Sequence, residues 1–370
     1  MNETKLLLIN KQEKTNKNKL IYIEIMRILA IFFVIFNHTK EKGFCMFVNE
    51  NPEEIQFWIY LIPSVFCKFS VAIFFAISGA FILAKEDEPI KKVWKDRVLK
   101  IIVVLILISF VYYIRNNGTN VQIDKFLISI YSSNVRVHLW YLYAYIAFLI
   151  SSPFLRAMVK NLDNKYFYYM IGIFLVFNAI VPIAEYLTSY GKYKMNTNLT
   201  VSWLIEKIVF YPCVGYFLHN RIKLKNPKKW ISIMWLVNII GILISCYMTY
   251  YKGHITGEFS AKTSQTFHEC FTFINCISIF ITIKYLFEKV EITNKYIRNI
   301  IFSIGSCTFG IYLIHLMIME SEPMVNLFNI MRNTKINNMI VAFVWCSLVM
   351  LVCYVITYIF KKIPIINKLL

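Results

Sequence analysis

Charge is what this sequence has least of. Asp, Glu, Lys and Arg make up 16% of it, and the acidic residues number 21 against 40 basic ones. Set against a hydrophobic content of 58%, where a soluble domain has about 45–50%, this scarcity excludes water as the main solvent for most of the chain. The formal charge of +19 would suit a nucleic-acid partner in a soluble protein. Here, however, the Lys and Arg fall in short clusters between apolar runs, as in the cytoplasmic loops of membrane proteins, so no nucleic acid is expected. The nine cysteines form no C-x-x-C pair and lie mostly inside apolar runs, which excludes a disulfide framework and a metal site. Residues 1–20, MNETKLLLINKQEKTNKNKL, lack a compact apolar core and a small-residue cleavage site, so they read as a basic tail rather than a removable signal peptide.

What is present is a series of apolar segments. A helix needs about 20 such residues to cross about 30 Å of hydrocarbon. Ten segments qualify, at roughly 20–38, 64–84, 98–114, 138–154, 166–187, 203–219, 230–250, 267–287, 300–319 and 338–360. Strand-like alternation is missing, and lipid offers a bare amide no partner, so the expected fold class is all-α, a polytopic membrane protein. With a cytoplasmic N-terminus, the inner connecting segments carry 25 Lys and Arg and the outer ones 11. That bias predicts both termini in the cytoplasm. The expected organisation is a basic tail at 1–19, a ten-span domain at 20–360 and a short tail at 361–370, with no internal repeat and no loop long enough to hold another domain.

Chemistry must then reside among the helices, where each polar residue is a candidate because it is costly to bury. In the first segment, Glu24, Arg27 and His38 are separated by 3 and 11 residues, which places them within about 60° of one another on a helix. Arg27 and His38 are about 16 Å apart along the axis at 1.5 Å per residue. Alternatively, Glu24 and Arg27 form an interfacial pair and His38 caps the helix. In the ninth segment Thr308, Ile311, Tyr312 and His315 make a stripe at i, i+3, i+4, i+7. Ser78-Gly79 could serve helix packing or a ligand path. His138 and Trp140 stand at an outer boundary where aromatics gather, and Trp140 could also stack on a sugar. Lys85, Lys91, Lys92, Lys95, Arg97 and Lys100 form a basic stretch that topology alone can explain. His219, His254 and His268 carry no assignment.

Five ordered blocks resemble the bacterial acyltransferase-3 family of membrane O-acyltransferases. They are RILAIFFVIFNH (27–38), SVAIFFAISGAFIL (70–83) with Phe74, Phe75, Ser78 and Gly79, WKDRVLK (94–100), HLWYLYAYIAFLISSPFLR (138–156) and SIGSCTFGIYLIHLMI (303–318). Lys100 stands where the family usually has Arg. The resemblance implies transfer of an acyl group, acetyl or succinyl, from cytoplasmic acyl-CoA to a hydroxyl of an exopolysaccharide, another envelope glycan or a lipid-linked sugar at the bacterial cell membrane. It makes His38 the general base, a role that suits an imidazole, and Arg27 a binding or orienting group, with Glu24 and His315 beside them. Arg97, Lys100 and Ser78 would meet the donor, and Trp140 and Tyr312 the acceptor. No permanently bound cofactor is implied. The competing expectation is a transporter or flippase of envelope saccharides, for which Pro182 and Pro212 are the candidate helix breaks.

Overall fold

The computed structural model describes residues 21–118, 120–259, 267–288 and 292–370, so the tail expected at 1–19 lies outside the described residues. Among these, all regular structure is helical. Helix α1 is Ile21–Asn37. A long helical unit, Ile55–Ile82, breaks at Cys67 and Lys68 into α2 (Ile55–Phe66) and α3 (Phe69–Ile82). There follow α4 (Ile90–Asn117), the short α5 (Ile123–Ser132), α6 (Val137–Asn161), α7 (Asn164–Ser189), and α8 (Lys207–Tyr216), which runs on helically to Arg221. The remainder are α9 (Pro227–Thr256), α10 (Thr272–Glu288), α11 (Lys295–Met319), α12 (Glu322–Arg332), α13 (Asn338–Phe360) and α14 (Pro364–Leu369).

Seven of these units are long and apolar enough to cross a membrane: Ile55–Ile82, Ile90–Asn117, Val137–Asn161, Asn164–Ser189, Pro227–Thr256, Lys295–Met319 and Asn338–Phe360. The other three expected spans coincide with shorter helices. Helices α1 and α10 have 17 described residues each, and α8 has 10 before its 5-residue continuation. The reason is structural as well as a matter of length. Helix α1 packs against α3, α10, α11 and α13 and buries residues all round, from Tyr22 to Phe36. A helix enclosed by others and apolar apart from the Glu24 and Arg27 stripe packs in the middle of the bundle. The longer units instead turn an apolar stripe outward, as α9 does with Leu236, Ile240, Leu243 and Tyr247. The second unit also begins earlier than the apolar run at 64–84 suggests, because Ile55–Phe66 is already helical.

The tightest crossing is between α3 and α8. A Cβ on Gly79 would lie 2.0 Å from the Pro212 carbonyl oxygen, and one on Gly215 would lie 1.9 Å from that of Ala76. The two backbones therefore touch, as small residues permit in membrane helices. This fixes the role of Gly79 as packing and leaves Ser78, its neighbour, facing elsewhere.

Candidate active site

His38 follows directly on the last residue of α1, and the chain then folds back tightly. Buried Thr39 donates its hydroxyl to the Phe36 carbonyl at 2.7 Å and accepts the Phe44 amide at 2.8 Å. Lys40 takes a left-handed backbone conformation with φ of 51°, and its carbonyl accepts the Cys45 amide at 2.8 Å. A non-glycine residue in this region costs about 1–2 kcal/mol, a strain that recurs at functional sites.

His38 Nδ1 lies 2.8 Å from the Val34 carbonyl and 3.4 Å from His315 Nε2. His315 Nδ1 in turn lies 2.7 Å from the Tyr312 carbonyl. A carbonyl oxygen only accepts, so in each neutral ring Nδ1 carries the hydrogen and Nε2 is left as the base. His38 Nδ1–H thus points between Val34 and the lone pair of His315, and its own Nε2 is the free basic nitrogen. A third imidazole completes the group. The ring of His138 is 5.1 Å from that of His315 and 6.2 Å from that of His38, and is buried. Its backbone carbonyl accepts the Tyr312 hydroxyl at 2.5 Å, which ties that hydroxyl to the α6 entry rather than leaving it open.

Two cavities share His38, called inner and outer after the sidedness that the charge bias of the connecting segments leads one to expect. The inner one, of about 380 Å³, is lined by Arg27, Ser78, Arg97, Lys100, Tyr141 and Tyr312 among others. The outer one, of about 1010 Å³, is lined by Lys40, Lys68, Asn178, Lys207 and Glu269 among others. Among the described residues, His38, Val71 and Trp140 alone line both. Helix geometry explains why Arg27 and His38 reach the same inner cavity: eleven residues make about three turns, which returns the side chain to nearly the same face.

At the far end of the inner cavity Arg27 Nη1 is 3.0 Å from Glu24 Oε1. The other Glu24 oxygen is buried against Gly305, where a Cβ would come within 2.1 Å of it. The interfacial pair weighed from the sequence therefore exists, and Arg27 lines the cavity nonetheless. Arg97 Nη2 meets Glu88 Oε2 at 2.5 Å, and the buried Arg156 reaches the same carboxylate at 3.7 Å. Although burial pushes the Glu88 carboxyl up, Arg97, Lys85 and Arg156 together hold it below the usual range. Among the described residues the buried Arg97 Nη1 has no partner, which leaves one face of the fork for a ligand. The Ser78 hydroxyl donates to the Phe74 carbonyl at 2.8 Å and still borders the cavity.

Of the residues singled out from the sequence, Arg27, His38, Ser78, Arg97, Lys100, Trp140 and Tyr312 all border the inner cavity. His315 sits behind His38 and lines neither cavity. Sequence reasoning did not bring His138 into this group, although its place two residues before Trp140 was the available signal. His219 is engaged elsewhere, bonded to the Tyr22 hydroxyl, and His268 is buried beside Phe44 and Phe47. Among the described residues no cluster could hold a metal ion.

Seven helical units long and apolar enough to cross a membrane, packed around two cavities that share His38, define a multi-pass membrane protein. The acyltransferase domain model of the acyltransferase-3 family matches residues 20–359, almost the whole chain, and the protein belongs to that family. It is a membrane acyltransferase. No curated protein and no solved structure matches the chain.

Proposed function

We propose that the protein is a ten-span O-acyltransferase of the bacterial cell membrane, with both termini in the cytoplasm, that moves an acetyl group from cytoplasmic acetyl-CoA to a hydroxyl of an envelope glycan. The observation that carries this reading is that His38 borders both cavities. The inner cavity offers Arg27, Arg97 and Lys100 to a phosphate-bearing donor. Its 380 Å³ is near the lower end of the range for small-ligand sites, about 300–1,000 Å³, which suits the pantetheine arm and acyl group with the nucleotide left at the mouth. The arm would bridge the roughly 16 Å that separate Arg27 from His38 along α1. Lys100 supplies a point charge rather than a fork.

In the reaction His38 Nε2 takes the proton of the acceptor hydroxyl as its oxygen attacks the thioester carbonyl. The C–O bond forms, the C–S bond breaks, and the proton passes to the departing CoA thiolate. During the attack the imidazolium holds its second proton between the Val34 carbonyl and His315 Nε2, so His315 positions and steadies the base. Trp140, at the junction, can stack on the acceptor sugar. Succinyl-CoA would use the same site, and a lipid-linked sugar would be reached as readily as a finished polymer. The transporter reading has less support, since Pro182 and Pro212 line neither cavity and Pro212 is occupied in the crossing with Gly79.

Two measurements test the two-sided arrangement. All nine native cysteines are buried, and with Cys45, which lines the outer cavity, replaced by Ser, a Cys introduced at Ser78 or at Asn178 can be followed with a membrane-impermeant thiol reagent. Asn178→Cys is expected to react only from outside the cell and Ser78→Cys only in inverted vesicles, with acetyl-CoA protecting the latter. Equal labelling of Ser78→Cys from outside would sink the donor-site assignment. A phosphatase reporter, active only when exported, fused after Leu370 is expected to be inactive, as the 25 to 11 charge bias requires. An active fusion would reverse every inner and outer assignment made here.

A further inference from the structure

The outer cavity carries more positive charge than its own carboxylates neutralise. Four cations line it, Lys40, Lys68, Arg136 and Lys207, against two carboxylates, Glu269 and Glu320. Both carboxylates are engaged: Lys207 Nζ is 2.5 Å from Glu269 Oε2, and Arg136 pairs with Glu320. Among the described residues neither Lys40 nor Lys68 has a carboxylate in ion-pair range. Lys68 instead sits with its ammonium 4.5 Å from the centre of the Phe44 ring, on the loop that follows His38. Lys40 is two residues beyond His38 and holds the left-handed conformation that a glycine would take without strain. Two ammonium groups with no carboxylate in ion-pair range among the described residues therefore stand on the acceptor side of the proposed base, one of them kept there at a backbone cost.

We infer that the acceptor is an anionic glycan, whose carboxylate or phosphate is held by Lys40 and Lys68 while a neighbouring hydroxyl reaches His38. This deepens the acyltransferase reading above and rests on it. An uncharged saccharide would leave Lys40 with no anionic partner and Lys68 with only the Phe44 ring, in a cavity partly walled by Val71, Phe75 and Phe174. An anion gives each a charge-assisted hydrogen bond. The same positive field would draw a polyanionic strand toward the opening, which raises encounter rates at low salt.

The full-length protein in nanodiscs, without donor, can be titrated with trigalacturonate, with maltotriose as the uncharged counterpart, and with farnesyl-diphosphate-linked N-acetylglucosamine. Trigalacturonate is expected to bind at least about tenfold more tightly than maltotriose at low ionic strength, with the preference shrinking toward 1 M salt as screening sets in. Lys68→Gln and Lys40→Gly should each reduce that preference several-fold. The glycine variant keeps the backbone conformation, so a loss of preference there cannot be ascribed to misfolding. If the diphosphate-linked sugar alone shows the Lys-dependent preference, the recognised anion belongs to the lipid carrier; if trigalacturonate does, it belongs to the sugar. Equal binding of maltotriose, an unaltered preference in both variants, or binding of none of the three overturns the inference. Adding acetyl-CoA separates the two levels: a protein that binds anionic glycans through Lys68 but acylates none of the three refutes the acyltransferase reading, not the anion site.

Discussion

His38→Ala is expected to abolish glycan acylation while leaving the amount of inserted protein unchanged. A positioned proton acceptor contributes typically 10²–10⁴-fold, and His38, whose Nδ1 is held by the Val34 carbonyl, lines both cavities. The substitution removes little packing, because the ring sits at the end of α1 and its hydrogen bonds are to the Val34 carbonyl and to His315. His315→Ala is expected to give a smaller defect. It takes away the acceptor behind His38 Nδ1, but the Val34 carbonyl at 2.8 Å still fixes the ring. The assay is O-acyl content of the cell-surface glycan, normalised to the protein in the membrane. Retention of more than about a tenth of the wild-type acylation by His38→Ala, well above what losing a general base permits, would remove His38 from the mechanism.

The second large effect is on assembly. Gly79→Ala places a methyl group 2.0 Å from the Pro212 carbonyl oxygen, and Gly215→Ala places one 1.9 Å from that of Ala76. The obstacle in each case is backbone, which cannot rotate aside as a side-chain tip can, so α3 and α8 must separate along their crossing. Overpacking of this kind costs about 1–3 kcal/mol and occasionally more, and here it would also shift Ser78 and the inner cavity wall on α3. Both variants are expected to lose most of the monodisperse protein recovered in detergent and to unfold at lower temperature. Gly172→Ala is the comparison, because a Cβ there meets nothing within 4 Å and alanine is the better helix former by about 1 kcal/mol. If Gly79→Ala proved as stable as Gly172→Ala, the close crossing of α3 and α8 would be wrong.

Several features of this protein were legible before any coordinates. The all-helical membrane class follows from apolar runs of fixed length, since the bilayer imposes the same thickness on every one of them. The shared face of Arg27 and His38 follows from the helical repeat, and the basic cluster at Arg97 and Lys100 from local charge. Each of these is a property of one contiguous stretch. The His315 stripe follows from helical spacing too, and the family blocks added expected roles for Ser78, Trp140 and His315.

Tertiary structure alone decided the rest. His38 and His315 approach to 3.4 Å across 277 positions of sequence, and His138 joins them from a third helix. A boundary histidine reads as interfacial until the packing around it is known. The close contact of Gly79 with Pro212, and the enclosure of α1 by α3, α10, α11 and α13, depend on which helices become neighbours. So does the outer cavity, which draws Lys40, Lys68, Lys207 and Glu269 from four separate segments. Periodicity within a helix states which way a side chain faces, but only the packing of one helix on another states what it faces.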